Sequence, residues 1–410
     1  MKTIISTGLG RLHLVQSALS LHEAGVDVRI VQGWVPRHIP KGLVNSLGIL
    51  VGSKNLYAGM KKRFPSELSP TQIHSCTTAD FYTQGLFILA KLGLLSRSEA
   101  ACSGWKYFGR SSKIFLHSAD IFHVRSGAGQ GGAIEMARLK GMKVVVDHSI
   151  AHPAFIELML KQEYESRHLL FTMSPKDPFW KMVLKDCQEA DMLLVNSDFV
   201  KKTFIDYGYI SDKIKVITQG VRDDFLHLKE DYRLNGPIKL LFTGGFGFRK
   251  GAQYLIHALE ELDRSNIDFE LTVVGSSSEA VDLINETTVQ SKIRFIGHVP
   301  QEELKKYLAE ADLYVFPTLA EGCASSGLEA MAAGLPVITT RESGLPITNR
   351  KNGFLVPTKS SADIADAIHL LRSDDDQRTM IGKAAYETIK EKYSWQQYAL
   401  QVKSLYKSIL

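Results

Sequence analysis

The segment PTLAEGCASSGLEAMAAGLPVI at residues 317–338 carries two glutamates, Glu321 and Glu329, separated by a loop of small residues. The run DLYVF at 312–316 just before it is typical of a buried strand, and the apolar spacing after it predicts a helix. The loop therefore lies at the C-terminal end of a strand, where open α/β sheets bind ligands. Its small side chains let a ligand approach the main chain, and the helix N-terminus favours an anion such as a phosphate. For such a loop taken alone, a turn before a core helix with two solvated glutamates is the alternative.

Strand and helix patterns alternate along both halves of the chain. The buried strand patterns are separated by stretches long enough for crossover helices, and they lie at 3–6, 26–31, 121–124, 143–146, 192–195, 239–242, 270–274, 293–295, 313–316 and 337–339. This alternation predicts an α/β protein with doubly wound parallel sheets. The polar stretch at 228–238 fits a linker, so we predict one domain over residues 1–230 and a second over residues 236–392. The final segment, 393–410, has the spacing of an amphipathic helix.

Composition places the chain among ordinary globular proteins, with 410 residues, 44% hydrophobic and 23% charged. The four cysteines are scattered without a CxxC pair, so we expect a reducing compartment and no structural metal; they are Cys76, Cys102, Cys187 and Cys323. The N-terminal run MKTIISTGLGRLHLV is interrupted by glycine and arginine too early for a signal peptide. No run approaches the roughly 20 apolar residues of a bilayer span. We therefore expect a cytoplasmic protein.

Basic residues are concentrated in the first half, where the segment 37–113 holds 11 lysines and arginines against 3 acidic residues. Aromatic residues and the apolar run LFILAKLGLL are interleaved with these charges. Such a segment can lie on an anionic membrane surface. Two or three helices with an ordinary core stripe and solvated lysines explain it equally well, so both interpretations stay open. Nucleic acid is not expected as a partner, because no binding motif accompanies the charge.

Four further blocks occur in a fixed order around the two glutamates: LLFTGGFGFRKGAQYLIHALEEL at 240–262, GHVPQEELKKYLAEADLYVFPT at 297–318, EAMAAGLPVITT at 329–340 and NRKNGFLVP at 349–357. With the E-x7-E spacing of Glu321 and Glu329, they resemble the retaining, nucleotide-sugar-dependent glycosyltransferases of the GT-B fold, family 4. The resemblance is strong from about residue 195 onwards. It implies two Rossmann-like domains facing a central cleft, with the helix at 393–410 packing back on the first domain.

The resemblance also implies a donor site in the second domain. Arg249 and Lys250 would bind the donor diphosphate, Glu329 the ribose hydroxyls, and Glu321 would lie beside the transferred sugar. The other donor-binding positions that it implies are Gly245, His298, Val299, Cys323, Ala324, Ser325, Ser326 and Gly327. Cys323 and Ala324 depart from the family's common form, in which an aromatic residue often follows the first Glu-Gly.

In the first domain, His148 ends the strand pattern KVVVDH, where a histidine of the family commonly reaches the donor sugar. We count it as catalytic together with Glu321, Arg249 and Lys250; a structural histidine is the alternative. The acceptor-side candidates lie around the first turn, and they are Gly8, Gly10, Arg11 and His13. The pair Asn196-Ser197 resembles an interdomain element of the family, or it caps a helix.

The function predicted is retaining transfer from a UDP- or GDP-sugar to a hydroxyl of a glycan or lipid-linked oligosaccharide in surface polysaccharide synthesis, with the enzyme peripheral on the inner face of the membrane. No DxD motif stands in a suitable loop, so Arg249 and Lys250 are expected to replace a divalent metal, and no cofactor is expected. One alternative is a Rossmann-type NAD(P) oxidoreductase, although His13 stands where the fingerprint needs its third glycine. The other is a catalytically silent, membrane-associated binding module.

Overall fold

A computed structural model describes residues 1–10, 13–35, 67–171 and 173–410. Its first sheet is fully parallel, in the order β3-β2-β1-β4-β5-β6-β7. The strands are β1 (Lys2–Gly8), β2 (Asp27–Gln32), β3 (Ile73–Ser75), β4 (Ile121–Arg125), β5 (Lys143–His148), β6 (Met192–Val195) and β7 (Ile214–Val216). The helices described in this half are α1 (Leu14–Glu23), α2 (Thr77–Lys91), α3 (Arg97–Ser112), α4 (Ala133–Leu139), α5 (Pro153–Glu165), α6 (Pro178–Glu189) and α7 (Asp198–Asp206).

The second sheet is also fully parallel, in the order β10-β9-β8-β11-β12-β13. Its strands are β8 (Ile238–Thr243), β9 (Phe269–Val274), β10 (Ile293–Gly297), β11 (Leu313–Phe316), β12 (Val337–Thr340) and β13 (Phe354–Val356). The helices of this half are α8 (Ala252–Arg264), α9 (Val281–Glu286), α10 (Gln301–Glu310), α11 (Ser325–Ala333), α12 (Ser361–Ser373), α13 (Asp375–Lys392) and α14 (Trp395–Ile409). The predicted pair of doubly wound parallel sheets is confirmed.

Three short strands, β3, β7 and β13, were not predicted from the sequence. Each has three residues and lies at the edge of its sheet. A strand of that length gives no hydrophobic run or alternation long enough to be detected. Pairing with an existing sheet edge, rather than local pattern, defines these strands.

The polar stretch at 228–238 packs on the second domain instead of spanning the gap between the domains. Lys229 and Asp312 form a buried ion pair of 2.9 Å, and Tyr232 is buried. The buried Arg378 donates from Nε to the carbonyl of Tyr232 at 3.0 Å. Lys229 of this stretch is therefore paired inside the protein, whereas Glu230, Asp231 and Arg233 are exposed.

The chain crosses between the domains twice, and the two crossings lie side by side. The amide of Val221 donates to the carbonyl of Tyr393 at 2.7 Å, and Val221 bridges to Ser394. Beyond this point α14 packs against α1 of the first domain, where Ser17 donates to the hydroxyl of Tyr398 at 3.2 Å. The C-terminal helix is thus part of the core of the first domain.

A small apolar cluster joins the domains next to the cleft. Ile156 and Leu160 of α5 pack with Leu319 and Ala320, which follow β11. Because α5 follows β5, this contact brings the C-terminal edges of the two sheets face to face. No helix in the described parts of the chain is long and apolar enough to cross a bilayer.

Candidate active site

The loop that carries Glu321 is held at the domain boundary by its own backbone. The amide of Glu321 donates to the carbonyl of Glu342 at 3.0 Å, on the turn after β12. Its carbonyl accepts from the amide of Ala151 at 3.2 Å, which belongs to the first domain. One peptide segment therefore contacts both domains, and this fixes the position of the Glu321 side chain in the cleft.

The next residue, Gly322, fits only because it has no side chain. A Cβ placed there would lie 1.9 Å from the carbonyl oxygen of Ser149. The hydroxyl of Ser197 donates to the Gly322 carbonyl at 2.5 Å and accepts from the amide of Val200 at 3.2 Å. Ser197 therefore combines both interpretations of the Asn196-Ser197 pair, because it caps α7 and bonds across the domain boundary.

Arg249 and Lys250 converge on Glu321. Arg249 Nη1 lies 2.6 Å from Glu321 Oε1 and Lys250 Nζ lies 3.7 Å from the same oxygen. Arg249 Nη1 also donates to the carbonyl of Ala320 at 2.7 Å. Burial lowers the pKa of Lys250, while the carboxylate of Glu321 opposes that shift. The structure thus brings the two predicted cations and the first predicted glutamate into one cluster.

A glycine turn sets the direction of these two cations. Gly251 ends the short helical turn Phe248–Lys250 with φ +76°, and a Cβ there would lie 2.0 Å from the carbonyl of Pro317. On the other side, the ammonium group of Lys250 lies so close to Gly244 that a Cβ there would be 2.6 Å from Nζ. The turn that carries the cations is thus packed against the end of β11, and Lys250 lies over the end of β8.

Some of the backbone amides at the start of α11 already have hydrogen-bond partners within the protein. The amide of Ala324 donates to the carbonyl of Ser343 at 3.0 Å, and the amide of Gly327 donates to the carbonyl of Ala324 at 2.9 Å. Ser325 and Ser326 occupy the first turn, where a helix leaves amides without an intrahelical partner. In this structure the Ala324 and Gly327 amides, at two of the predicted donor-binding positions, therefore already have partners within the protein.

Glu329 lies on the second turn of α11, away from the Glu321 cluster. Burial raises its pKa to about 7; Arg222 opposes this shift and Asp224 adds to it. No described residue donates a hydrogen bond to this carboxylate. Its environment thus includes residues of the interdomain crossing, which sequence reasoning did not single out.

The other predicted donor positions vary in exposure. Gly245 follows β8, whereas His298 and Val299 follow β10; His298 is exposed and Val299 packs on the core of the second domain. Cys323 is buried, and burial raises the pKa of its thiol well above the usual value. Cys323 is therefore a neutral, small side chain in the loop.

On the acceptor side, His13 already has a partner within the protein. Its Nε2 lies 3.0 Å from Asp147 Oδ2, and His123 Nε2 lies 3.5 Å from the same oxygen. Burial opposes ionisation of Asp147, but the two histidines hold its pKa well below the usual range. His123 Nδ1 in turn lies 2.6 Å from the hydroxyl of Tyr406 on α14. His13 therefore does not point freely at an acceptor.

The glycines of the first turn make room for the protein's own side chains. A Cβ on Gly8, which has φ +67°, would lie 2.5 Å from the ring of Trp105, and one on Gly10 would lie 2.3 Å from Arg125 Nη1. The guanidinium of Arg125 lies 4.8 Å from the centroid of the Trp105 ring. The space next to these two acceptor-side candidates is thus occupied by Trp105 and Arg125. Arg11 lies outside the described residues.

His148 is buried at the end of β5. Its Nδ1 lies 2.9 Å from the hydroxyl of Ser126, its ring packs edge-on against Phe204, and Nε2 has no partner among the described residues. Burial lowers its pKa to about 4, although Asp147 opposes the shift. The imidazole is therefore neutral near pH 7 and suited to hydrogen bonding rather than to acid catalysis.

Several residues around the cluster gave no signal in the sequence. The hydroxyl of Tyr314 donates to Ser326 Oγ at 2.8 Å and lies 3.0 Å from Thr243 Oγ1. Gln219, on the crossing segment, hydrogen-bonds the hydroxyl of Ser325. These contacts depend on tertiary placement of residues far apart in the chain, which spacing within one motif does not report.

Comparison with known proteins fits this geometry. Residues 226–388 match the model of the family described as Glycosyl transferases group 1. The amylovoran biosynthesis glycosyltransferase AmsK of Erwinia amylovora is 28% identical over 286 residues, covering 63% of this chain and 65% of that protein. The chain spans 54–65% of the length of curated relatives such as this one.

Two solved structures align over the whole chain. A sucrose-phosphate synthase from Thermosynechococcus elongatus has a TM-score of 0.73 at 18% identity, with 100% of this chain and 99% of that chain covered. Anabaena HepE in complex with UDP and glucose has a TM-score of 0.62 at 14% identity, with both chains covered to 100%. At these identities the likeness establishes the fold. The chain therefore has the GT-B fold, and its residues 226–388 match the glycosyl transferases group 1 family.

Proposed function

We propose that this chain is a retaining glycosyltransferase that moves a sugar from a UDP- or GDP-sugar to a hydroxyl acceptor. The observation that carries the proposal is the cluster of Arg249, Lys250 and Glu321, which lies beside the first turn of α11 at the boundary of the two domains. Two cations and two first-turn amides form a site of the charge and shape that a diphosphate requires.

The cations act on the leaving group. As the bond between the sugar and the diphosphate breaks, negative charge grows on the diphosphate, so its attraction to Arg249 and Lys250 strengthens towards the transition state. In the donor-free protein the carboxylate of Glu321 balances these charges. When the donor binds, the diphosphate takes over part of that role, and Glu321 becomes available to the sugar. Turnover is proposed to need no divalent metal or other cofactor.

Glu329 is proposed to bind the donor ribose. An ionised carboxylate accepts two hydrogen bonds from neighbouring hydroxyls, and no described residue already donates to this one. With a pKa of about 7, it is increasingly ionised as the pH rises past neutrality. His148, neutral and with a free Nε2, is proposed to hydrogen-bond the transferred sugar.

The acceptor is proposed to be a glycan or a lipid-linked oligosaccharide of surface polysaccharide synthesis. A relative named for amylovoran biosynthesis supports this class of product, and the HepE structure with UDP and glucose supports a nucleotide-linked sugar donor. Retention of configuration rests on the family resemblance. An oxidoreductase is not favoured, because the matched family and relatives are glycosyltransferases.

We further propose that the helix pair α2 and α3 lies on an anionic membrane at the inner face. Leu92 and Leu94, in the turn between the helices, are 68% and 71% exposed. Other large exposed apolar side chains of the pair are Phe81, Tyr82, Ile88, Leu89 and Tyr107. Exposed basic residues of the same pair are Lys91, Arg97, Lys106 and Arg110. Apolar groups flanked by cations match the interface of an anionic bilayer. The remainder of the basic segment, 37–66, lies outside the described residues.

A thermal-shift screen against UDP-, GDP- and ADP-sugars tests the donor proposal. A ligand that binds only the folded protein raises its melting temperature, so one nucleotide series is expected to give a concentration-dependent increase. Transfer or hydrolysis of that same sugar, insensitive to a chelator, is the expected activity. Absence of a shift with all three series, together with absence of turnover, would remove the proposal.

A further inference from the structure

A buried carboxylate on the first domain makes its main contacts with the second. Glu163 lies near the C-terminal end of α5, and its side chain is 9% exposed. Its Oε1 accepts from the hydroxyl of Tyr254 at 2.5 Å and lies 2.9 Å from Lys359 Nζ. Its Oε2 accepts from Gln253 Nε2 at 3.2 Å. Three residues of the second domain thus surround one carboxylate of the first, and Arg167 of the first domain adds a contact of 3.3 Å.

The partners of Glu163 are directly connected to the loop that carries the two cations. Gln253 and Tyr254 belong to the first turn of α8, which begins immediately after the Phe248–Lys250 turn. The side chain of Gln253 also donates to the carbonyl of Phe248 at 3.4 Å. Any movement of Glu163 relative to α8 is therefore transmitted to the backbone just before Arg249.

The neighbours of Glu163 on the first domain contact the same loop. The ring of Tyr164 lies edge-on to the ring of Phe248 at 5.7 Å, and the guanidinium of Arg167 lies 4.7 Å from the centre of that ring. On the adjoining turns of α5, Ile156 and Leu160 pack against Leu319 and Ala320, which precede Glu321. Helix α5 and the residues just after it thus pack against both loops of the cluster, the turn that carries Arg249 and Lys250 and the loop that leads to Glu321.

The chemistry of the contact favours two discrete arrangements. A carboxylate buried without partners costs far more free energy than a solvated one, so Glu163 is stable either in water or with its full set of donors. If the domains separated, Tyr254, Gln253 and Lys359 would leave the carboxylate together. Closure would then form the polar contact and the apolar contact in one step.

We infer that Glu163 is a positioning residue, whose insertion between Gln253, Tyr254 and Lys359 on domain closure fixes the Phe248–Lys250 turn and so orients Arg249 and Lys250 towards the donor diphosphate. The inference rests on the proposed function for the identity of the ligand, although the mechanical coupling does not. Glu163 contacts neither the donor nor the acceptor. Its effect passes through the backbone of the turn.

The test compares Glu163→Gln with Glu165→Gln in the full chain. Glutamine keeps the size of the side chain but removes the charge that Lys359 and Tyr254 require. Glu165 is a matched control, since it is exposed on the same helix and its carboxylate lies 3.8 Å from Lys161 Nζ, within α5 itself. Hydrogen exchange of peptides covering 246–256 measures the order of the turn, and calorimetry with UDP and GDP measures nucleotide affinity.

We expect Glu163→Gln to accelerate exchange in these peptides and to weaken the bound nucleotide about tenfold to a hundredfold, because small misplacements of binding groups have effects of that size. Glu165→Gln should change neither. The charge exchange Glu163→Lys with Lys359→Glu should recover part of both losses. Unchanged exchange in Glu163→Gln, or faster exchange with unchanged affinity, would overturn the inference. Faster exchange in a protein whose wild type binds no nucleotide would instead uphold the coupling and remove the proposed function.

Discussion

The polar residues singled out in the two domains differ in where their partners lie. In the second domain, Arg249 and Lys250 reach from a loop to meet Glu321 at the boundary between the domains. In the first domain, His13 and His123 both contact the buried carboxylate of Asp147. The comparison teaches that position at the C-terminal end of a strand is not sufficient to make a residue available to a ligand. This availability also depends on whether the protein supplies a buried internal partner for the residue.

The comparison predicts distinct consequences of substitution. Changes in the Arg249 cluster should affect activity and leave folding nearly intact, because these side chains are partly exposed and bind through charge. Changes in the Asp147 network should affect folding first, because that network is buried and joins α14 to the first sheet.

The largest effect is expected for the double substitution Arg249→Ala with Lys250→Ala. Loss of two charge-assisted contacts to the leaving group should reduce turnover about a thousandfold or more. Steady-state release of nucleoside diphosphate measures it, with thermal unfolding as the folding check. Lys202→Ala is the control, because Lys202 is exposed and pairs with Asp206 on its own helix. Turnover within tenfold of the wild type would mean that the cluster is not the diphosphate site.

A substitution at the domain boundary should have the next largest effect. In Gly322→Ala the new methyl group would lie 1.9 Å from the carbonyl of Ser149, so the domains must separate or the loop must shift. We expect turnover to fall about a hundredfold and the free energy of unfolding to fall by about 1–3 kcal/mol. Turnover and urea unfolding test this. Gly236→Ala is the comparison, because Gly236 has open space around it but a φ of +90° that makes a side chain strained. This variant should lose stability without losing turnover. Equal turnover of both variants would contradict the account of the boundary.

Glu329→Gln should separate binding from stability. Because the pKa of Glu329 is raised to about 7 in the folded protein, the folded state holds a proton that the unfolded state has lost between about pH 4.5 and 7. The contribution of Glu329 to stability therefore falls as the pH rises through this window. Above pH 7 the glutamine variant should be more stable, by about 1–3 kcal/mol, while nucleotide affinity falls about tenfold.

Two titrations check this prediction. Melting temperatures from pH 5 to 8 should converge for the wild type and the variant at the acid end. Nucleotide affinity of the wild type should weaken as the pH falls through 7, and the variant should lack that part of the pH dependence. A variant that is less stable than the wild type at pH 8 would show that burial does not oppose ionisation of Glu329.

Asp147→Asn should show the behaviour of the first domain. Its pKa is depressed by His13 and His123, so its stabilisation is present above the unfolded pKa of about 4 and is lost as the pH falls further. At pH 7 we expect the variant to lose about 1–3 kcal/mol of unfolding free energy, with turnover per folded molecule reduced by less than tenfold. Denaturant unfolding and turnover at several pH values measure this. A large loss of turnover without loss of stability would place Asp147 in the chemistry instead.

The smallest effect on chemistry is expected in the helix pair α2 and α3. Leu92→Glu with Leu94→Glu should weaken the affinity for anionic vesicles, measured by cosedimentation, by about a hundredfold or more, because each buried leucine contributes about 1.5–3 kcal/mol to an apolar contact. Turnover with a water-soluble acceptor should stay unchanged. Leu139→Glu, at an exposed leucine of α4, is the control for added charge. Equal sedimentation of the three proteins would contradict the membrane surface.

How far the sequence predicts this protein differs between backbone and side chains. The parallel sheets, the loop after β11 and the turn before α8 follow from glycine positions and hydrophobic periods, which are local properties. The pairing of His13 with Asp147, the contact of Gly10 with Arg125 and the use of the Ala324 amide by Ser343 are not local. They join residues that only the folded sheets bring together, so the spacing within a motif does not contain them.

The proposal that the Arg249 and Lys250 cluster binds a diphosphate can be tested by measuring how much the second phosphate group contributes to nucleotide affinity. Calorimetry of the wild type with UDP and UMP, and with GDP and GMP, gives that contribution as a ratio of dissociation constants. We predict that one diphosphate binds about a hundredfold more tightly than its monophosphate, and that the ratio falls close to one in Arg249→Ala with Lys250→Ala. Equal affinities in the wild type, or a ratio that survives in the double variant, would contradict it.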